Sequence, residues 1–245
     1  EEKTLEVEKY RILAKALLPL PEKWHGLQDI EERYRKRYLD FIFNPEVKKK
    51  IENLTLIVQE MRNFLNSHNF MEVETPILQT LAGGAIAEPF TTHLNTLNLD
   101  LYLRIAPELY LKRLLVGGFE LVYEFAKNFR NEGMDRDHNP EFTMLEFYAA
   151  YWDYEKMMSF LEKMLQQVVR VVSSGLKLNY QGQEIDLAGH YPKISFNDLF
   201  KKYTNINYDE ADEETLIAKA KELEIKIEKA MTKGNVADEI YKKVA

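Results

Sequence analysis

FRNEGMDRDHNPEF, residues 129–142, decides the fold. It joins two runs that read as strands: LVYEFAKNFRNE from Leu121 to Glu132, and EFTMLEFYAAY from Glu141 to Tyr151. Both runs are rich in aromatic and β-branched residues, and Gly133 to Pro140 between them are turn formers and charges. The reading is an antiparallel hairpin with a long loop. Strand side chains alternate between faces. Arg130 and Glu132 therefore share one face of the first strand, and Phe142, Met144, Glu146 and Tyr148 share one face of the second. Where these faces coincide, one surface carries a guanidinium, two carboxylates, a phenol and an aromatic ring, with His138 on the loop above.

Each of these residues has an ordinary explanation when taken singly. Arg130 with Glu132 is a surface ion pair, Phe142 and Tyr148 are core, and Glu146 faces water. The combination argues otherwise. Glu146 lies in the apolar run MLEFYAAY, and a carboxylate buried there is costly unless a cation meets it.

The chain of 245 residues is long enough for one large domain or two small ones. At 45% hydrophobic and 12% aromatic it can bury a sizeable core. A net charge of -7, from 33 basic and 40 acidic residues, does not announce nucleic-acid binding, so any such contact needs a local basic patch. The absence of cysteine excludes disulfides and thiolate metal sites. No run of about 18 apolar residues occurs, so no membrane span is expected. The acidic start EEKTLEVEKY is no signal peptide and lacks a starting Met. It reads as the start of an excised or processed piece, with the cytoplasm as the default location.

Outward from the hairpin toward the N-terminus, Pro107 starts a helix that Gly117-Gly118 ends. On it, Glu108 reads first as an (i, i+4) partner of Lys112. Tyr102 to Ile105 is a strand, and Gly83-Gly84-Ala85 lies in a loop where glycine lets backbone approach a ligand. Phe70 to Thr75 is a short alternating strand stopped by Pro76. Before it, Asn44-Pro45-Glu46 opens a long helix, with Asn as N-cap, Pro at the first helical position and Glu in the first turn. Ile51, Leu54, Ile57, Val58, Met61 and Leu65 form its apolar stripe, and it ends near His68-Asn69. Asp29 and Glu32 make a capping-box pattern for a shorter helix. That helix carries Arg33, Arg35, Lys36 and Arg37, the most basic patch in the chain. The patch reads as a solvated helix face, with contact to RNA phosphates as the functional alternative. LPLPEKWHG is a Pro-punctuated linker, and Thr4 to Leu13 is strand-like.

Toward the C-terminus, Asp153 caps a helix whose core stripe is Met157, Met158, Leu161, Met164, Leu165, Val168 and Val172, with Gly175 at its end. A hairpin turns at Gln181-Gly182, and Ser195 begins a short helix. A charged helix from Glu210 to Ala230 and a helical tail from Thr232 complete the chain.

FRNE followed by HNPEF resembles motif 2 of the class II aminoacyl-tRNA synthetases. TMLEFYAAY, the GGA at Gly83–Ala85 and LRIAPELYLKRLLVGGFELVYE are similar to the lysyl-tRNA synthetases of that class. The resemblance covers essentially the whole chain. It is strong through residues 20–155 and weaker after Ser173. It implies that residues 44–76 are motif 1, which builds the homodimer interface in the family, and that the Gly83-Gly84-Ala85 loop covers the amino acid. Two positions depart from it: Glu88 stands where Arg is expected, and Leu94 where His is expected. The resemblance also divides the chain. Residues 1–28 are a remnant of an anticodon-binding OB domain with its linker, and residues 29–245 are the catalytic domain, truncated before motif 3.

The same resemblance distributes roles. Class II activation joins an amino-acid carboxylate to the α-phosphate of ATP and releases pyrophosphate. Its anionic transition state needs fixed cations rather than a nucleophilic side chain. Arg130 is the catalytic residue, its guanidinium forking onto carboxylate and phosphate oxygens. Arg130, Glu132, His138, Asn139 and Phe142 bind ATP. Phe142 stacks on adenine, Glu132 or nearby backbone accepts from the adenine amino group, and His138 with Asn139 reaches the distal phosphates or the loop's closed form. Gly84, Glu108, Arg130, Glu146 and Tyr148 bind lysine. Glu108 holds the α-ammonium and Glu146 the ε-ammonium, with Tyr148 beside it. A neutral substrate side chain would leave Glu146 buried and unpaired, which gives discrimination.

No Gly-rich motif 3 ending in Arg is found among the ten glycines. The acidic residues that hold Mg²⁺ in the family belong to that later segment, so no metal site is expected within this chain, although ATP and Mg²⁺ are the expected cofactors. No Walker A or Rossmann fingerprint substitutes. The expected fold is α/β in the broad, α+β sense: the class II catalytic fold, an incomplete antiparallel sheet flanked by helices. The expected function is activation of L-lysine and charging of tRNA(Lys) by a homodimeric parent, with this chain alone binding ATP poorly. The rivals are a shorter paralogue that lysylates a translation factor, and a non-catalytic dimeric fragment.

Overall fold

The structure, a computed structural model, describes residues 3–4, 6–20, 26–135, 137–173, 175–227 and 231–244. The chain forms two compact units, Glu1–Ala188 and Gly189–Ala245.

In the first unit, residues 6–20 are exposed and join no sheet, so the strand expected over Thr4 to Leu13 is not formed across residues 6–13. Alternation alone makes no strand where no neighbour supplies a hydrogen-bonded ladder. Part of the expected linker, residues 21–25, lies outside the described residues. Helix α1 (Ile30–Arg35) starts as its sequence predicts, with Asp29 accepting from the Glu32 amide at 2.7 Å. Helix α2 (Arg37–Phe43) follows. Every cation of the basic patch meets a carboxylate. Arg33 and Arg37 reach Asp40 at 2.8 and 2.5 Å, Arg35 reaches Glu31 at 2.7 Å and Lys36 reaches Glu32 at 2.7 Å. This pairing favours the local reading of the patch over one in which it meets RNA phosphates.

Asp40 also receives the side-chain amide of Asn44 at 2.6 Å. Burial pushes its carboxyl pKa up, but hydrogen bonds from Asn44, Arg33 and Arg37 outweigh burial and hold it below the ordinary carboxylate range. Asn44 therefore occupies the N-cap position of α3 (Pro45–Ser67) without making the side-chain cap bond expected of it. Helix α3 is buried at Val47 near its start and at Phe64 and Leu65 near its end, whereas Ile51 and Leu54 of the apolar stripe are 50% and 55% exposed.

Strand β1 (Met71–Glu72) is shorter than the run expected from Phe70 to Thr75. Strands β2 (Leu78–Gln79), β3 (Thr91–Leu94) and β4 (Leu99–Leu103) form an antiparallel sheet in the order β2-β4-β3. Helix α4 (Glu108–Val116) starts at Pro107 and stops at Gly117. The hairpin then forms as β5 (Leu121–Phe129) and β6 (Glu141–Ala149). Strand β1 lies parallel to β5 and completes a second sheet, β1-β5-β6, so this sheet is antiparallel only at the hairpin.

Helix α5 (Tyr154–Val172) is capped by Asp153, which accepts from the Lys156 amide at 2.8 Å, and it closes at Ser173 rather than Gly175. The buried line of α5 is Phe160, Met164 and Val168, one turn apart. Met158 and Leu161 of the expected stripe are only partly covered, at 41% and 39% exposed, because they fall off that line. Phe160 is the centre of the core. Its ring lies 4.9 Å from Phe64, 5.2 Å from Phe70 and 5.1 Å from Trp152. The odd-numbered hairpin residues Leu121, Tyr123, Phe125, Leu145, Phe147 and Ala149 pack into this core. The Tyr123 hydroxyl donates to Glu72 at 3.0 Å and lies 2.9 Å from the side-chain amide of Asn66, and burial together with Glu72 pushes its pKa up to about 12. Strands β7 (Lys177–Tyr180) and β8 (Gln183–Asp186) make the expected hairpin, with Gln181 and Gly182 both at positive φ.

In the second unit, α6 (Phe196–Thr204) is capped by Ser195. Helix α7 (Glu213–Glu222) is shorter than the charged helix expected from Glu210, and residues 228–230 of that expectation lie outside the described residues. Helix α8 (Lys233–Val244) follows, and Phe200, Leu216, Ala220, Val236, Ala237 and Ile240 form the core. No helix among the described residues is long and apolar enough to cross a membrane.

Candidate active site

The hairpin register sets the site. Asn128 faces Phe142, Ala126 faces Met144, Glu124 faces Glu146 and Val122 faces Tyr148. Cross-strand partners share a face, and the odd-numbered residues are committed to the helical core. The even-numbered residues therefore make the opposite face, as the alternation predicts.

The first strand ends sooner than expected. The Arg130 amide still donates to Pro140 at 2.9 Å, but the Asn131 amide donates to the carbonyl of Glu88 at 2.8 Å. The chain thus leaves the hairpin to meet the segment after the Gly83-Gly84-Ala85 loop. Glu132 lies beyond the strand, and its carboxylate accepts from the Glu88 amide at 3.1 Å. Arg130 and Glu132 come together through this connection, not through strand alternation. Glu88 uses its backbone here, which any side chain would permit, and Leu94 lies in β3.

Arg130, Glu132, His138, Asn139 and Phe142 line one cleft of about 270 Å³, with Gly133 and Asp137. The Arg130 guanidinium stands over the Phe142 ring, 5.0 Å from its centre. Its Nε is buried and has no partner among the described residues. His138 Nδ1 lies 2.8 Å from both carboxylate oxygens of Asp135, and the amides of Asp137 and His138 donate to the same carboxylate at 2.7 Å. The Asp137 amide and then the His138 ring hold the Asp135 carboxyl below the ordinary carboxylate range. Asp135 was not singled out by the sequence reading. An acidic residue three positions before a histidine in a turn-rich loop is the signal that could have found it.

The second group adjoins the first. Tyr148 donates to Glu146 at 2.9 Å. Burial raises the Glu146 carboxyl pKa. The Tyr148 hydrogen bond opposes that, Glu108 and Glu124 add to it, Arg130 opposes it, and the net direction is upward. The Tyr148 hydroxyl is likewise pushed up, by burial first and then by Glu146. Glu108 accepts from Lys112 at 2.5 Å, the expected (i, i+4) pair. Gly84 has φ +88, and a Cβ there would sit 2.9 Å from the Cβ of Glu108 and 3.3 Å from that of Ala106. Both backbone conformation and space call for glycine at this position. Gly84, Glu108, Arg130, Glu146 and Tyr148 thus form one neighbourhood.

Two further residues belong to this face and went unnoticed in the sequence. Glu124 and Arg104 are each 3% exposed and form an ion pair of 2.6 Å. Each is a charged residue inside or beside an apolar run, which is the signal that singled out Glu146. Asn128, on the same face, is fully buried, and neither of its amide atoms has a hydrogen-bond partner among the described residues. Among the described residues no group of three or more His, Cys, Asp or Glu side chains is arranged to hold a metal ion.

The sequence profile of the tRNA synthetases class II (D, K and N) matches residues 29–235. The chain is 53% identical over 246 residues to a lysine–tRNA ligase of Aquifex aeolicus, an alignment spanning 100% of this chain and 41% of that protein. It is 55% identical over 205 residues to a lysine–tRNA ligase of Pelotomaculum thermopropionicum, spanning 84% of this chain and 40% of that protein. It is 48% identical over 243 residues to that of Prochlorococcus marinus, spanning 98% of this chain and 48% of that protein. The chain spans less than half the length of these relatives.

Proposed function

Because the chain belongs to the class II tRNA synthetases of the D, K and N group, we propose that the protein carrying it activates L-lysine with ATP and transfers it to tRNA(Lys). One observation carries the choice of substrate. Glu146 is a half-buried carboxylate whose one hydrogen bond among the described residues comes from a neutral hydroxyl. A substrate ammonium is the partner that such a group lacks. The similarity to lysine–tRNA ligases supports the same substrate.

Arg130 is the catalytic residue in this reading. The lysine carboxylate attacks the α-phosphorus of ATP, an O–P bond forms, and pyrophosphate leaves with the electrons of the broken P–O bond. Charge grows on the phosphoryl oxygens, and a guanidinium fixed over Phe142 meets it without reorganising. The unpartnered Nε supports this role, since it leaves a donor for substrate. Phe142 offers its ring to adenine, with Glu132, His138 and Asn139 around the same cleft. Glu108 holds the α-ammonium, with Gly84 letting the covering loop approach it. Glu146 and Tyr148 hold the ε-ammonium. Mg²⁺, expected with ATP, neutralises phosphate charge when bound, and the steps assigned to these residues use none. In the second step a terminal tRNA hydroxyl attacks the lysyl carbonyl and AMP leaves.

Residues 1–28 are read as the end of an anticodon-binding domain with its linker, and 29–245 as catalytic domain. Residues 44–76 are the proposed homodimer surface. The exposed Ile51 and Leu54 on α3 support that assignment. The cytoplasm is the proposed location.

The test is ATP–pyrophosphate exchange by the full-length protein with lysine, arginine, ornithine and norleucine, followed by charging of tRNA against a protein acceptor. Exchange that depends on lysine, with tRNA as the acceptor, is the expected result. Equal exchange with norleucine would contradict the substrate assignment, and transfer to protein alone would contradict the acceptor.

A further inference from the structure

Glu124 stands directly across the ladder from Glu146, and carboxylates at facing positions on one sheet face repel. No role above uses it. It is held on both oxygens: Arg104 Nη1 donates to Oε1 at 2.6 Å, and Thr75 Oγ1 donates to Oε2 at 2.6 Å. Arg104 is fixed in turn. Its Nε donates to the Lys127 carbonyl at 2.7 Å and its Nη1 to the Thr75 carbonyl at 3.0 Å. Its own amide donates to Ile77 and its carbonyl accepts from Phe129, both at 2.9 Å. Arg104 therefore ties the segment after β1, the start of β2 and the end of β5, one residue before Arg130.

We propose that Arg104 is a positioning residue for the ammonium-binding carboxylate: by engaging Glu124 it removes the second carboxylate of this face from competition with Glu146. The proposal rests on the reading of Glu146 given above. Two facing carboxylates in a partly dry site cannot both carry full charge, and without a cation one takes a proton. Arg104 supplies that cation to Glu124, which leaves Glu146 to the substrate. The groups around Glu146 are Tyr148 on its own strand, Glu124 on β5, Arg130 just past the end of β5, and Glu108 at the start of α4. Arg104 is the guanidinium in contact with Glu124, so its loss acts on Glu146 through Glu124 and not by direct contact.

The experiment follows the Glu146 carboxyl in the full-length protein labelled with ¹³C-glutamate, the signal being assigned by its loss in Glu146→Gln. Arg104→Met is expected to move the Glu146 titration to higher pH. Arg104→Met combined with Glu124→Gln is expected to bring it back to or below the wild-type position. In parallel, the lysine KM at neutral pH is expected to rise about tenfold in Arg104→Met, with a smaller change in kcat, and to recover in the double variant. An unchanged Glu146 titration in folded Arg104→Met would overturn the proposal, as would a double variant as disturbed as the single one. If Arg104→Met does not fold, Glu124→Gln alone decides. Glu146 is then expected to titrate lower than in the wild type, and no movement would overturn the proposal. The titration needs neither lysine nor ATP, so it decides the role of Arg104 even if exchange proves not to depend on lysine.

Discussion

The phenol of Tyr148 donates to the carboxylate of Glu146 at 2.9 Å, and the two residues sit two apart on one strand. A hydrogen bond to an ionised group stabilises that form by roughly 1.5–3 kcal/mol in dry surroundings, and by about 1 kcal/mol where water shares the site. The Glu146 carboxyl pKa is already raised by burial, and loss of the phenol raises it further. Tyr148→Phe is therefore expected to lower kcat/KM for lysine about fivefold at neutral pH. It is also expected to move the acidic limb of the pH profile upward. A pH series of exchange rates checks both.

Stability gives the same residue an independent signature. A carboxyl raised on folding binds protons more tightly in the folded state. Its contribution is full below the unfolded pKa and is lost as pH rises through the folded one. Glu146→Gln removes this liability. The variant is expected to melt at a higher temperature than the wild type at pH 7, with the difference closing as pH falls toward about 4. Calorimetry at the two pH values measures it.

Gly84→Ala places a Cβ 2.9 Å from that of Glu108 on a backbone with φ +88. Positive φ costs a side-chain-bearing residue about 1–2 kcal/mol, and the clash moves Glu108 or the loop. The expected result is a higher lysine KM with little change in the KM for ATP. Steady-state exchange kinetics in both substrates separates the two.

Asp135 gathers the amides of Asp137 and His138 and the His138 ring into one turn. Its carboxyl is held low, so the clasp is present above the ordinary carboxylate range and lost as pH falls through the depressed value. Asp135→Ala is expected to speed hydrogen exchange at the amides of Asp137 and His138 and to raise the KM for ATP. Unaltered exchange at both amides would count against the clasp.

Phe160 supports the face from behind, with Phe64, Phe70 and Trp152 around it. Phe160→Ala is expected to cost about 3–5 kcal/mol. Urea unfolding of the full-length protein, followed by a probe in this unit, reads the loss.

The alternation of LVYEFAKNF and EFTMLEFYA made one face of the hairpin legible from residue types alone, and Phe142, Glu146 and Tyr148 lie on it, with Arg130 just past the end of β5. The facing of Glu124 to Glu146 was not legible, because register depends on how the loop closes and not on either strand's pattern. Arg104 and Glu124 come from separate elements, and no local spacing brings them together. Asn44 shows the opposite failure. It stands at the N-cap as its residue type predicts, yet the buried carboxylate of Asp40 takes its side chain. The strand expected from Thr4 to Leu13 had the pattern but no neighbour. The short β1 and the early end of β5 reflect backbone partners, Tyr123 for one and Glu88 for the other, that no one-dimensional pattern contains.

In the proposed function, Glu146 reads the substrate's side-chain ammonium. Lysine-dependent ATP–pyrophosphate exchange by the full-length protein and its Glu146→Gln variant tests it most directly. In Glu146→Gln, kcat/KM for lysine is expected to fall by about a hundredfold or more, roughly 3 kcal/mol, while preference for lysine over norleucine collapses. A Glu146→Gln enzyme that still prefers lysine as strongly as the wild type would contradict it.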